Sequence, residues 1–178
     1  MFSKPRQLET ETDLYEVAMR ALMRRAHSVH EMKKKLDRRS DNKLLVQVVM
    51  ARLRENGHLD DDRYAKQFTR QRTEIRKQGK FRVARELRAR GVPDRHIETA
   101  LEQSARDTDE AAIVRQRIER KLRSFRGLGT DKKSDDKKMA SLYSSLLRAG
   151  FPSDLIRREL RSLTRADLPE VDAPEDSL

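Results

Sequence analysis

Apolar residues recur along this chain at helical spacing, and the spacing itself repeats. Leu87, Gly91, Val92, Pro93, Ile97 and Leu101 are matched 59 residues later by Leu146, Gly150, Phe151, Pro152, Ile156 and Leu160. Leu36, Ser40, Val46 and Met50 stand 51 residues before Leu87, Gly91, Ile97 and Leu101 as a looser copy. Each copy reads as a helix end, a stop, and a new helix with apolar residues four apart. Helical units repeated in this way predict a modular array, in which neighbours cover each other's apolar faces and leave one long surface exposed. Strand-like alternation is absent, so the expected fold is all-α, with three tandem three-helix repeats.

The pattern divides the chain as follows. Residues 1–11 form a flexible leader and residues 12–58 the first repeat. There Thr12 caps a helix from Asp13 to about Arg25, with Leu14, Ala18, Ala21 and Leu22 on one face. Ser28-x-x-Glu31 is a capping box opening a helix that carries Met32 and Leu36. Ser40 or Asp41 caps a third, with Val46, Val49, Met50 and Leu53 inward and Asn56-Gly57 at its end. Residues 59–106 form the second repeat. Asp60, Asp61 and Asp62 suit a helix start, Tyr64, Ala65, Phe68 and Ile75 point inward, and the helix reaches about Lys77 before Gly79. A helix from about Phe81 to Arg90 buries Val83 and Leu87, and one opened by Pro93 at its first turn buries Ile97, Ala100 and Leu101. Residues 107–163 form the third repeat. Ala111, Val114, Ile118, Leu122 and Phe125 make its first stripe, residues 127–136 a mobile connector, and Lys137–Ala149 and Pro152–Leu163 its remaining helices. Residues 164–178 form an acidic, disordered tail.

Composition adds a partner class. The chain has 178 residues, of which 35% are hydrophobic and 40% charged, with a net charge of +11. The tail from Thr164 holds one Arg against five acids, a net of −4, so the other residues carry +15. Such an excess favours polyanions or acidic protein surfaces. Cysteine is absent, which excludes disulfides and Cys-ligated zinc or iron–sulfur centres. No apolar run suits a signal peptide or a membrane span, so a cytoplasmic protein is expected.

On a helical wheel, Arg63, Lys66, Arg70 and Lys77 fall on one side of the second repeat's first helix, opposite Tyr64, Phe68 and Ile75. Arg82, Arg85, Arg88 and Arg90 continue the charge on the next helix. A basic face backed by a core stripe can track phosphates or dock acidic groups, although a solvated face with pairs such as Arg70–Glu74 has the same pattern. Lys33, Lys34, Lys35, Arg38 and Arg39 form a second cluster that wraps round its helix. The few aromatics sit at core spacing, which argues against base-stacking platforms. The Asp60–Asp62 run reads as capping, His27 and His30 lack further ligands at zinc spacing, and Gly127-Leu128-Gly129-Thr130 follows no strand. No nucleophile–base set is suggested, so neither catalysis, metal nor cofactor is expected.

Four stretches together resemble the RecX family of bacterial regulators of the RecA recombinase. They are Arg25-Ala26-His27-Ser28-x-x-Glu31-Met32-x-x-Lys35-Leu36; Leu59-Asp60-Asp61-Asp62-Arg63-Tyr64-Ala65-x-x-Phe68, followed by Arg72; Gly79-x-x-Arg82-Val83-x-x-Glu86-Leu87-x-x-Arg90-Gly91-Val92; and Leu147-Arg148-Ala149-Gly150-Phe151-Pro152-x-x-x-Ile156. They occur in order and span about residues 14–163. Lys121-Leu122 departs from the family's usual Lys-Tyr pair, in the third repeat. The resemblance implies an elongated, curved molecule that acts as a monomer. It also implies binding to the RecA–DNA filament and inhibition of recombinase, ATPase and coprotease activities, within DNA recombination, repair and the SOS response. The family offers no catalytic residues to carry over. The expected contacts with RecA and DNA are therefore Arg63, Lys66, Arg70, Lys77, Arg82, Arg85 and Arg88. A general nucleic-acid-binding helical array is the alternative.

Overall fold

The computed structural model describes residues 7–125 and 132–166, and among these it contains helices and no strands. The order is α1 (Glu11–Arg24), α2 (Val29–Asp37), α3 (Lys43–Glu55), α4 (Asp61–Arg70), a π-helical turn (Gln71–Ile75), α5 (Lys80–Arg88), α6 (Asp94–Asp107), α7 (Glu110–Phe125), α8 (Lys132–Arg148) and α9 (Ser153–Ala166). No helix among the described residues is long and apolar enough to cross a membrane.

Three apolar clusters hold these helices. Leu14, Ala18, Met32, Leu36, Val46, Val49 and Leu53 gather α1–α3. Tyr64, Ala65, Val83, Leu87, Val92, Ile97 and Ala100 gather α4–α6. Val114, Ile118, Leu142, Leu146, Phe151 and Ile156 gather α7–α9. Leu36, Leu87 and Leu146 are each nearly or wholly shielded from solvent, as are Val46, Ile97 and Ile156. The echoed positions are thus the centres of the cores, where truncating one such side chain to Ala costs about 2–5 kcal/mol.

The Gly-apolar punctuation is a repeated hydrogen-bond device. At the end of α5, Gly91 is left-handed (φ 71°), and Val92 N–H donates to the carbonyl of Leu87 at 3.2 Å. At the end of α8, Gly150 has φ 92° and Phe151 N–H donates to Leu146 O at 3.3 Å. These bonds satisfy carbonyls that the helix end would otherwise leave open.

By proximity the chain forms two compact units, Met1–Arg76 with Val83–Thr108, and Lys77–Arg82 with Asp109–Leu178. In the first, the cores of α1–α3 and α4–α6 are tied across a polar seam. Ser28 caps α2 through a full capping box with Glu31, and its hydroxyl donates to Arg90 O at 2.6 Å. Val29 N–H donates to the Asp61 carboxylate at 2.9 Å. In the second, residues 79–81 lie along the α8–α9 turn. Gly79 N–H donates to Ala149 O at 2.9 Å and Phe81 N–H to Gly150 O at 3.1 Å.

Several boundaries differ from expectation. Thr10, not Thr12, caps α1, by accepting from Asp13 N–H, and Leu8 packs on the first core with its N–H on Arg39 O at 2.7 Å. The expected leader is therefore partly built into the fold, while residues 1–6 lie outside the described residues. Asn42, rather than Ser40 or Asp41, caps α3 by accepting from Leu45 N–H. Pro93 is the N-cap of α6 and does not stand inside its first turn. Helix α8 starts at Lys132, so residues 132–136 of the expected connector are helical; residues 126–131 and the Phe125 side chain lie outside the described residues. Helix α9 runs on to Ala166, and tail residues 167–178 likewise lie outside them.

Ile75 was expected inward and is 75% exposed. The cause is the π turn after α4, where Arg76 N–H reaches back to Gln71 O at 3.3 Å. An extra residue in the turn breaks the α-helical phase. Thr69 and Thr73 face the core there, and Thr73 Oγ1 lies 3.1 Å from both Thr69 O and Ser104 Oγ of α6.

Candidate nucleic-acid and partner interface

Asp60 starts α4 by accepting from Asp62 N–H at 2.9 Å and Arg63 N–H at 3.0 Å, and those backbone bonds, first from Arg63, hold its carboxyl below the ordinary carboxylate range. With the start fixed, Arg63, Lys66 and Arg70 fall on one exposed edge and line a groove of about 870 Å³ against α6. The groove also holds acids. Lys66 Nζ pairs with Asp62 at 2.8 Å, Arg70 Nε pairs with Glu74 at 3.0 Å, and Asp107 joins from α6. Three cations face three carboxylates, so the groove is close to neutral.

The other four expected contact residues lie outside α4. Lys77 lies past the π turn in a left-handed conformation (φ 51°), and its carbonyl accepts from Arg117 Nη2 at 2.8 Å. Lys77 and Arg82 belong to the second compact unit, where Arg82 N–H donates to Gly79 O at 3.1 Å. On α5, Arg85 is exposed, while Arg88 Nε pairs with Asp94 at 2.7 Å. A wheel drawn through residue 77 assumes unbroken α-helix, and the π turn removes that assumption.

A more basic groove lies along α2. Lys34, Lys35 and Arg38 line it with Arg25, His27, His30 and Glu31, in a space of about 340 Å³. Four cations face one carboxylate, and that carboxylate is engaged by Arg25. Lys33 turns away to pair with Asp37 at 2.7 Å. Sequence alone makes this cluster look wrapped round its helix. Arg25, from the turn before α2, and Ala89, just past α5, complete its lining, neighbours that a wheel of α2 does not contain.

The seam between the first two cores opens into a third feature, a cleft of about 570 Å³ that sequence reasoning did not single out. Arg25 holds Glu31 through two hydrogen bonds, of 3.0 and 3.1 Å, and Ser28 N–H and Tyr64 OH add bonds at 3.2 and 3.4 Å. Burial pushes the Glu31 carboxyl up, but the bonds from Arg25 and Ser28 outweigh it and hold it below its ordinary value. Burial pushes the Tyr64 phenol up, and the adjacent Glu31 charge adds to that. Tyr64 stacks on Phe68 with ring centroids 6.0 Å apart. The guanidiniums of Arg72 and Arg90 lie over the Phe68 ring, at 4.7 and 4.6 Å from its centroid. Arg72 pairs with Glu86 at 3.2 Å, and Arg90 Nη1 donates to Glu86 O at 2.6 Å. Arg25, Glu31, Tyr64, Phe68, Arg72 and Arg90 all come from the stretches that carry the family resemblance. That shared origin was the available signal.

His27 lines the α2 groove. It is buried, and the Arg25 carbonyl accepts from its Nδ1–H at 2.9 Å. Burial lowers its pKa below the ordinary imidazole value, with Arg25 and Lys35 adding to the effect and the Arg25 carbonyl and Glu31 opposing it. The unfolded chain therefore takes up a proton more readily than the folded one. Stability should fall as pH drops from about 6.5 toward the folded value, and His27 should contribute no pH dependence above that window. Thermal denaturation between pH 7.5 and 5 checks this, and His27→Gln should flatten the slope above the carboxylate range. A slope unchanged in the variant would assign it elsewhere.

Among the described residues, no group of three or more His, Asp or Glu side chains is placed to hold a metal ion. Asp60, Asp61 and Asp62 instead serve as cap, tie to α2 and partner of Lys66.

Residues 60–101 match the family model described as the RecX second three-helix domain. The regulatory protein RecX of Halorhodospira halophila is 36% identical over 142 residues, covering 80% of this chain and 83% of that protein. The RecX of Trichlorobacter lovleyi is 31% identical over 150 residues, covering 83% and 93%. The crystal structure of RecX from Lactobacillus salivarius superposes with a TM-score of 0.73 at 19% identity, covering 87% of this chain and 97% of that one, which shows a shared fold. Relatives of this identity and coverage, with a shared all-helical fold, settle the assignment: the chain belongs to the RecX family of regulatory proteins.

Proposed function

We propose that this protein binds the RecA–DNA filament in the cytoplasm and restrains its recombinase, ATPase and coprotease activities, as a regulator without catalytic residues of its own. Family membership supports the regulatory class. The observation that carries the DNA part of the reading is the groove of Arg25, Lys34, Lys35 and Arg38, where four cations meet one already engaged carboxylate. Uncompensated cations in a groove attract phosphate through counterion release. The edge of Arg63, Lys66 and Arg70 and the α5 residues Arg85 and Arg88 serve as secondary contacts, because ion pairs already occupy part of their charge. Lys77 and Arg82 stay in the proposed contact set through the second compact unit.

The test is RecA ATP hydrolysis on single-stranded DNA, titrated with this protein. Hydrolysis should fall at substoichiometric protein, since a molecule bound to a filament affects more than one RecA subunit. Undiminished hydrolysis at equimolar protein would refute the reading. Equal affinity for naked and RecA-coated DNA would favour a general nucleic-acid-binding protein instead.

A further inference from the structure

The α2 groove and the α4 edge are both open to a polyphosphate chain, whereas the cleft at the seam has a different chemistry. We infer that the cleft framed by Arg72, Arg90 and the Phe68 ring receives an aspartate or glutamate side chain of a partner protein. The inference rests on the regulator reading for the existence of that partner and adds the site and the chemistry of the contact.

Three features point to a carboxylate. The first is spare donor capacity. Arg90 forms no ion pair among the described residues and gives Nη1 to a backbone carbonyl, so its charge and remaining N–H groups stay available. Arg72 Nε is buried and finds no acceptor in the protein. Guanidinium forks match carboxylates in plane and spacing.

The second is the wall. The stacked Tyr64 and Phe68 rings give the cleft an apolar side, where a charge-assisted hydrogen bond is less screened than on an open surface. Phe68 also holds both guanidiniums in place, so little side-chain entropy remains to be lost on binding.

The third is what the cleft disfavours. Glu31 and Glu86 stand fixed beside the arginines. A phosphate chain brings a charge at every nucleotide and would meet Glu31 on the cleft wall. A single side chain brings one charge and can reach Arg90 while Glu31 stays occupied by Arg25, Ser28 and Tyr64. The volume of about 570 Å³ admits that side chain with its flanking backbone.

Gln71 tests this without touching the arginine framework. It lines the cleft, is exposed, and contributes only backbone groups to the end of α4 and the π turn. Gln71→Glu places a carboxylate at the mouth that both repels and competes with an incoming one. The Nε–Hε NMR signals of Arg72 and Arg90 should shift on titration with a glutamate-rich peptide and stay in place with a short oligothymidylate. Gln71→Glu should weaken peptide binding about tenfold, and should weaken binding to RecA-coated DNA similarly while leaving naked-DNA affinity within about twofold. Shifts caused by the oligonucleotide alone would make this a phosphate site and overturn the inference, as would no shift with either probe. If the peptide binds as expected but wild-type protein ignores RecA-coated DNA, the regulator reading falls and the carboxylate site stands. If wild type and Gln71→Glu bind the filament equally and the peptide fails, the site falls alone.

Discussion

Gly79→Ala is expected to destabilise the second compact unit by more than about 3 kcal/mol. A methyl group there would stand closer than 3.0 Å to the carbonyl carbon and oxygen of Gly150 and to the amide nitrogen of Phe151. All three are backbone atoms of the α8–α9 turn, so no rotamer change can make room. Relief requires moving residues 79–81 off the turn, which breaks the Gly79–Ala149 and Phe81–Gly150 hydrogen bonds. Gly79 does not have a positive φ, so the effect is crowding rather than backbone strain. Alanine also reduces the freedom of the unfolded chain, a gain of about 0.4–1 kcal/mol that offsets little of the loss. Gly57→Ala supplies the contrast. Gly57 is left-handed (φ 67°) but has open space where the methyl would go, so it should cost only the conformational penalty of about 1–2 kcal/mol. Urea denaturation of both variants, with amide exchange of the α8 and α9 backbone, measures the difference. Equal and small losses would mean that the segment does not sit against the turn.

The second large effect concerns affinity. Changing Lys34, Lys35 and Arg38 together to Glu should reduce binding to single-stranded DNA, and to RecA-coated DNA, by about a hundredfold or more at moderate salt. Each phosphate contact contributes close to one unit of slope in log K against log salt, so removing three should flatten the slope by two to three. The same substitution at Arg63, Lys66 and Arg70 should cost only about tenfold. Asp62 and Glu74 already neutralise two of those cations in the free protein, and the ion pairs must open before phosphate can be engaged. The folds should survive, because all six side chains are exposed and surface charge pairs contribute at most about 1 kcal/mol each. Salt titrations of binding, with circular dichroism for helix content, decide between the two sites. A larger loss from the α4 variant would return the main contact to that edge.

The relation between these two sites shows how far the chain could be read without its fold. The helices were legible because their signals are local: the Ser28–Glu31 capping box, the Asp60 cap, the stops at Gly91 and Gly150, and the four-residue spacing of buried Leu, Ile and Val. Their failures were local competitions between near-equal options. Thr10 and Thr12, or Ser40, Asp41 and Asn42, offer similar caps, and hydrophobic contacts such as that of Leu8 decide among them. The π turn was illegible for a different reason. Thr73 completes that turn by reaching Thr69 O and Ser104 on α6, a partner 31 residues away.

What the sequence by itself determined is the helical class, the echoed units and the family, since each depends on short-range spacing or on ordered motifs. What only the tertiary structure decided is which charges remain unneutralised and which motif residues meet. Asp107 reaches the α4 groove from another helix and Ala89 joins the α2 groove from beyond α5, while Phe68 collects Arg72 and Arg90 beside Glu31. Charge and cleft are sums over neighbours in space, and a chain in one dimension does not contain those neighbours until its cores have packed.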